Sequence, residues 1–338
     1  MKKYDTLVFI GRFQPLHLAH LEIMKRATAL CDQLIVIVGS ANQPRTYKNP
    51  FTFAERSQMI QDAAGSLGLE LIVEPNIDTI YNDQAWAVRV QNIVAENTRP
   101  GAQIAVIGHK KDESSFYLNM FPQWGFVNID LIEPLNATDV RDLFFRTDFN
   151  SNFIKNVLPP STYNLLMEFS KTPDFAQIIR EREFVASYKK QYASLPYPPI
   201  FVTADAVVIQ SGHVLMIKRR SEPGRGLWAL PGGFVNANTD KSVEDAAIRE
   251  LREETGIKVP APVLRGNIVR SRVFDAVDRS ARGRTITHAF HIQLPDGELP
   301  RVKGSDDAEK ARWVPIAEVR SEECFEDHAE IIQHFLGA

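Results

Sequence analysis

The sequence predicts two domains, an α/β unit built on a parallel sheet followed by a smaller α+β unit. Three observations carry this. The chain has 338 residues, about twice a common domain of ~150. Its first part alternates short aliphatic runs with helix-like segments, whereas β-rich runs after residue 200 surround one long helix. Between them LPYPP over 195–199 places three prolines in five residues, and proline neither continues a helix nor leaves the preceding residue free to.

In order, the first part places strands at 6–10, 34–39, 70–74, 103–108 and 126–132. Helices are expected between them at 18–30, 52–64, 82–96 and 114–121. That alternation makes βαβ units, whose ligands bind beyond the carboxyl ends of the strands. Residues 138–194 read as helices, and the last part holds helices near 242–255 and 326–336. The expected division is 1–172, a helical and Pro-rich linker over 173–199, and 200–338.

Composition excludes several classes of function. Lys and Arg number 39 against 42 Asp and Glu, so the net charge of −3 makes no global case for nucleic acid or an anionic membrane as partner. Hydrophobic residues at 44% and charged residues at 24% are ordinary for a globular protein. No apolar run approaches the ~20 residues of a membrane span, and the N-terminus does not read as a signal peptide. Cys31 and Cys324 are too few for a disulfide framework. The expectation is a cytoplasmic protein with reduced thiols, its oligomeric state open.

The first chemical constellation is GRFQPLHLAH over 11–20, between a strand end and a helix start. Free backbone N–H groups there attract an anion. Gly11 lets a phosphate approach the backbone, and Arg12 offers a fork of donors suited to it. His17 and His20 are three apart, so they share a helix face and can donate to oxygens that gain charge in a transition state.

This string resembles the HxGH signature of the nucleotidyltransferases, and its GRFQP lead-in looks like NMN adenylyltransferases of the archaeal type. Ala19 stands where that family usually has glycine. NPFTFAER over 49–56 resembles a further family segment, which implies a substrate-binding role for Arg56, and NDQAW over 82–86 resembles the segment whose tryptophan, here Trp86, stacks on the nicotinamide ring. NATDVR over 136–141 resembles the late motif whose arginine, here Arg141, grips ATP phosphates, with Thr138 expected to cap its helix. GHKKD over 108–112, starting at Gly108, is expected to line the adenosine side. The resemblance implies a Rossmann-like domain that uses Mg²⁺ or Mn²⁺ and transfers AMP from ATP to NMN. His17, His20, Arg12 and Arg141 would be the catalytic groups, with Gly11, Phe13 and Gln14 among the binding residues.

The second constellation is LPGGFV over 230–235 followed by RELREETG over 249–256. Glu250, Glu253 and Glu254 fall at i, i+3 and i+4, so three carboxylates share one helix face and offer hard oxygen ligands to Mg²⁺ or Mn²⁺. Arg249 flanks them, and Gly256 reads as the helix C-cap. The string resembles the Nudix box of pyrophosphohydrolases, with Gly232 and Gly233 in its loop. It departs from the usual pattern: Lys241 stands where a glutamate is usual, and the loop is two residues longer, with Asp240 or Glu244 as alternative acids. Arg279, Arg282 and Arg284 resemble the substrate loop of Nudix domains acting on ADP-ribose.

The pairing of the two motif sets resembles the bifunctional NMN adenylyltransferase/Nudix hydrolases. It implies NAD synthesis from ATP and NMN, and hydrolysis of ADP-ribose to AMP and ribose 5-phosphate. Two alternatives stay open. One is a different nucleotidyltransferase fused to a Nudix enzyme of other specificity. The other is a non-hydrolytic, ligand-sensing Nudix domain.

Overall fold

Residues 2–109, 119–129, 136–146, 151–305 and 307–337 are described by a computed structural model. The chain divides into two compact units, Met1–Arg180 and Glu181–Ala338.

The first unit contains β1 (Tyr4–Gly11), α1 (Leu18–Leu30), β2 (Cys31–Val38), α2 (Phe53–Gly65), β3 (Ile72–Pro75), α3 (Asp83–Glu96), β4 (Ile104–Gly108) and β5 (Gly125–Asn128). Helices α4 (Ala137–Phe144), α5 (Ser151–Lys155), α6 (Pro160–Phe169) and α7 (Pro173–Lys190) follow, α7 running past the unit's last residue. The sheet is parallel throughout, in the order β3-β2-β1-β4-β5. Leu7 to Ile10 of β1 are all buried, as a strand covered on both faces requires. Leu7 and Phe9 join a core with α1 and α2, while Val8 and Ile10 join one with α3. Strand order reverses at β1, because β2 lies on one side of it and β4 on the other. Ligands of doubly wound sheets bind at the carboxyl end of such a switch point.

The second unit contains β6 (Phe201–Gln210), β7 (His213–Arg219), β8 (Trp228–Ala229), β9 (Gly232–Phe234), α8 (Val243–Thr255), α9 (Ala261–Gly266), β10 (Ile268–Phe274), β11 (Thr285–Gln293), β12 (Ala308–Pro315) and α10 (His328–Leu336). Its mixed sheet runs β10-β11-β6-β7-β12, with β8 on β7 and β9 on β6. Among the described residues, its β6–β11 ladder is parallel and its other ladders are antiparallel. Helix α8 packs Ile248 and Leu251 against Leu215 and Ile292. Among the described residues no helix is long and apolar enough to cross a membrane.

Several boundaries differ from expectation for local reasons. Thr52, Asn82 and Ser242 are N-caps rather than first helical residues, each accepting from the backbone N–H three residues on. Thr52 and Glu55 complete a reciprocal capping box. Strand β2 begins at Cys31, whose buried side chain belongs to the core. Helix α10 begins at His328, because Glu326 holds φ +46°, outside the helical region. The helix expected at 114–121 and the strand expected at 126–132 lie partly outside the described residues, as do residues 110–112 of GHKKD.

Candidate active sites

In the first unit the loop leaving β1 gathers most of the expected residues. His17 is the N-cap of α1 and His20 its third residue. Their rings stack at 3.6 Å between centroids. The His17 backbone N–H donates to His20 Nδ1 at 3.4 Å, which leaves the His20 proton on Nε2. Burial and the adjacent His17 hold His20 well below the ordinary imidazole range. His20 is therefore a neutral Nε2–H donor at pH 7.

The rest of the loop is held by two buried arginines. Arg56 donates to the carbonyls of Arg12, Gly39, Ser40 and Thr52, joining the ends of β1 and β2 to the start of α2. Arg141 donates to Gln14 O at 2.6 Å and Thr138 Oγ1 at 3.1 Å, and its Nε has no hydrogen-bond partner among the described residues. Burial pulls both guanidiniums down to about 10, and each also feels the charge of Arg12, which stands exposed. Three like charges thus meet around one loop, an arrangement that a polyphosphate relieves.

Some expected roles change. Gly11 is required because a Cβ there would lie 2.9 Å from Phe13 Cζ, so the Phe13 ring lies close against its Cα. Phe13 is buried and packs edge-on against His20 at 4.9 Å, which orients the imidazole. Gln14 is buried and clamps Phe51 through both its amide atoms, at 2.8 and 2.9 Å. Thr138 does not cap α4. Asn136 does, accepting from Asp139 N at 2.9 Å, because it occupies the extended position just before the helix. Gly108 ends β4 beside β1, and Trp86 lies half-buried in the first turn of α3, tilted against Phe121. The alternate-face packing of β1 puts α3 across the sheet from α1.

In the second unit the Nudix-like loop meets the carboxylate helix. A Cβ on Gly233 would lie 2.5 Å from Glu250 Oε1, and one on Gly232 would lie 2.2 Å from Asp205 Oδ1. Only glycines allow that approach. Glu254 is buried and accepts from Gly232 N at 2.9 Å. Burial, reinforced by Glu250 and Asp205, pushes it up to about 8. Glu253 points away, 47% exposed, onto Arg249. Among the described residues no three acidic, His or Cys side chains form a ready-made metal group. The site nevertheless suits a hard divalent cation: it holds buried oxygen donors whose mutual repulsion such an ion would relieve.

Of the two alternative acids, Asp240 and not Glu244 reaches Arg249. It forms a bidentate pair with Arg249, both contacts at 2.8 Å, and the Arg249 hydrogen bonds hold its carboxyl down at about 2. Arg249 also donates to Glu250 at 2.7 Å, to Glu253 at 3.0 Å and to Phe234 O at 3.3 Å. Glu244 pairs with Arg265 instead. Lys241 stands exposed in the lengthened turn. We expect Lys241→Glu to change kcat by less than ~3-fold. Asp240→Asn should cost ~10–100-fold through loss of an orienting contact. Steady-state hydrolysis rates of the two variants check this. Because the folded Asp240 carboxyl lies below its ordinary 3.8, the pair stabilises the fold above that pH. It is lost as pH falls through about 2.

The three arginines of the expected substrate loop have different partners. Arg279 is buried in a bidentate pair with Asp327, at 2.7 and 2.8 Å. Arg282 lies over Phe234 at 4.9 Å, and Arg284 faces Asp275 at 3.8 Å. The sequence reading missed Asp205 and His328. Asp205 accepts from Thr287 beside Gly232, and His328 Nδ1 accepts from Leu230 N at 2.9 Å. Neither sits in a motif, since both reach the loop from distant strand and helix positions.

A cytidylyltransferase-like family model matches residues 8–115 and a NUDIX domain model matches 199–335. The nicotinamide/nicotinic acid mononucleotide adenylyltransferase of Acinetobacter baylyi is 36% identical over 179 residues, 53% of this chain and 93% of that protein. The ADP-ribose pyrophosphatase of Methanocaldococcus jannaschii is 32% identical over 160 residues, 47% of this chain and 83% of that protein. The crystal structure of a bifunctional NMN adenylyltransferase/ADP ribose pyrophosphatase from Francisella tularensis, complexed with AMP and a Mn ion, superposes with a TM-score of 0.92. It is 34% identical, and the match covers 99% of each chain.

Proposed function

This chain belongs to the family of bifunctional NMN adenylyltransferases/ADP-ribose pyrophosphatases, and we propose that its two units divide those activities between them. The full-length match at 34% identity carries this reading. Residues 1–172 join AMP from ATP to nicotinamide mononucleotide, giving NAD and pyrophosphate. Residues 200–338 hydrolyse ADP-ribose to AMP and ribose 5-phosphate. All partners are small nucleotides, as expected of a cytoplasmic enzyme, and nucleic acid is not among them.

For adenylyl transfer, the 5′-phosphate of the mononucleotide attacks the α-phosphorus of ATP in line and pyrophosphate leaves. The chain supplies position and charge rather than a nucleophile. Arg12 meets the phosphates from the solvent side, and Arg141 holds the loop through Gln14 O while its Nε has no acceptor among the described residues. His20, a neutral donor aimed by Phe13 and His17, places Nε2–H where the phosphoryl oxygens gain charge. Trp86 stacks on the nicotinamide. Trp86→Ala should raise KM for the mononucleotide about 2- to 30-fold, from a cation–π contact of ~0.5–2 kcal/mol. KM for ATP should move less; equal shifts in initial-rate measurements would make Trp86 structural only.

For hydrolysis, Glu250 and Glu254 would hold a divalent cation, Mg²⁺ or Mn²⁺, with Glu253 completing the face. Such an ion neutralises the diphosphate and lowers the pKa of a bound water. Arg249, anchored by Asp240, fixes Glu250, while Gly232 N–H fixes Glu254. Retention of this anchored set favours hydrolysis over a ligand-sensing role. Incubating the purified chain with ADP-ribose, with Mg²⁺ or with excess chelator, tests this. AMP should form only with the metal, and binding without turnover would favour the sensing role.

A further inference from the structure

An edge of the second unit carries a groove that neither reaction above uses. It holds about 390 Å³ and is walled by β7, β8, β12 and the loop before β12. Among the described residues lining it, Lys218, Lys303, Lys310 and Arg312 are cations and Glu309 alone is acidic. The register explains the grouping. Lys310 pairs across the sheet with Lys218, and Lys218 with Trp228, so their side chains share one face. Arg312, two residues beyond Lys310, falls on that face too. Its guanidinium lies over the Trp228 ring at 4.2 Å, which fixes it in place.

The groove lies apart from the hydrolytic carboxylates. Strand alternation turns Lys218 away from Arg219. Arg219 feels the charges of Glu254 and Glu326 and stacks on Phe325 at 3.9 Å. The outer wall is firmly built. A Cβ on Gly304 would meet the Lys310 backbone at 2.7 Å, so only glycine lets the loop lie this close to β12. Lys303 N and Ser305 N then donate to Thr255 O at 2.8 Å and Glu254 O at 3.1 Å.

Like charges directly opposite on a sheet destabilise it. Here two lysines oppose one another and two more cations close around them. We propose that this groove binds the polyphosphate chain of a phosphorylated small molecule, at a site distinct from both reaction sites. Mobile ammonium groups and one fixed guanidinium suit a chain of phosphates, and the volume falls within the ~300–1,000 Å³ of small-molecule pockets.

Calorimetric titration of inorganic tripolyphosphate into the intact chain tests this, with chelator present, for wild type and for Lys218→Glu/Lys310→Glu. Wild type should bind one more equivalent than the variant, and that equivalent should weaken as salt rises. Lys218→Met/Lys310→Met, which introduces no repulsion, should weaken the same equivalent about tenfold or more. It also serves as the check on folding, through a melting temperature no lower than that of wild type, since the opposed charges are gone. Titrations with pyrophosphate and with ATP separate the sources. Tighter binding of ATP assigns the groove to a nucleotide, and equal binding assigns it to the phosphate chain alone. Equal stoichiometry and affinity in wild type and the folded variants would overturn the proposal. So would a tenfold loss of ADP-ribose hydrolysis in the methionine variant, which would make the groove part of the hydrolytic site.

Discussion

His20→Ala should reduce kcat for NAD synthesis ~100-fold or more, equivalent to ~2.7 kcal/mol of transition-state stabilisation. The imidazole is aimed by three contacts: the stacked His17 ring, the edge of Phe13 and the His17 N–H on Nδ1. A donor so placed acts mainly on the charge that develops at the phosphoryl oxygens. KM for ATP should therefore change far less than kcat. The pH profile carries a second expectation. Burial and His17 keep the His20 pKa below the ordinary 6.5, so it is neutral from there upward and becomes cationic only as pH falls well below that value. Between about pH 6.5 and 8.5 the wild-type kcat should show no inflection that the variant abolishes. A variant retaining more than a third of wild-type synthesis would remove His20 from the chemistry.

Glu254→Gln should nearly eliminate ADP-ribose hydrolysis, by ~100-fold or more, the loss expected when one preorganised charge is removed from such a site. The substitution is nearly isosteric. Its amide oxygen can still accept from Gly232 N, the bond that holds the loop to α8. The melting temperature should therefore remain close to wild type, which separates a chemical loss from an unfolded protein. The Mg²⁺ concentration giving half-maximal rate should also rise for whatever activity remains. Full hydrolysis by this variant would overturn the mechanism proposed for the second unit.

Much of the architecture was legible from the sequence, because local signals decide it. Helix α1 has the expected bounds, and the aliphatic runs that became β1, β2 and β4 are buried on both faces over most of their length, as apolar parallel strands are. The motif strings also named most of the residues that the structure brings together around the two loops. What local pattern could not show was which charged group meets which. Arg279 and Asp327 are 48 residues apart in the chain, so no local string could show their buried pairing. Arg56 looked like a ligand-binding residue within its string, but its guanidinium gathers four backbone carbonyls. Asp240 reaches Arg249 through a turn whose path depends on its inserted residues, so spacing alone left it level with Glu244. At α4, Asn136 and Thr138 are both residue types that cap helices, and the backbone chose the earlier one.

We propose that one chain holds two self-sufficient reaction sites. The most direct test measures both products, NAD from the mononucleotide plus ATP and AMP from ADP-ribose, in the same preparations of wild type, His20→Ala and Glu254→Gln. Each variant should lose one product and keep the other within about twofold, because His20 and Glu254 each lie within a different unit. Parallel loss of both products in either folded variant would contradict the claim.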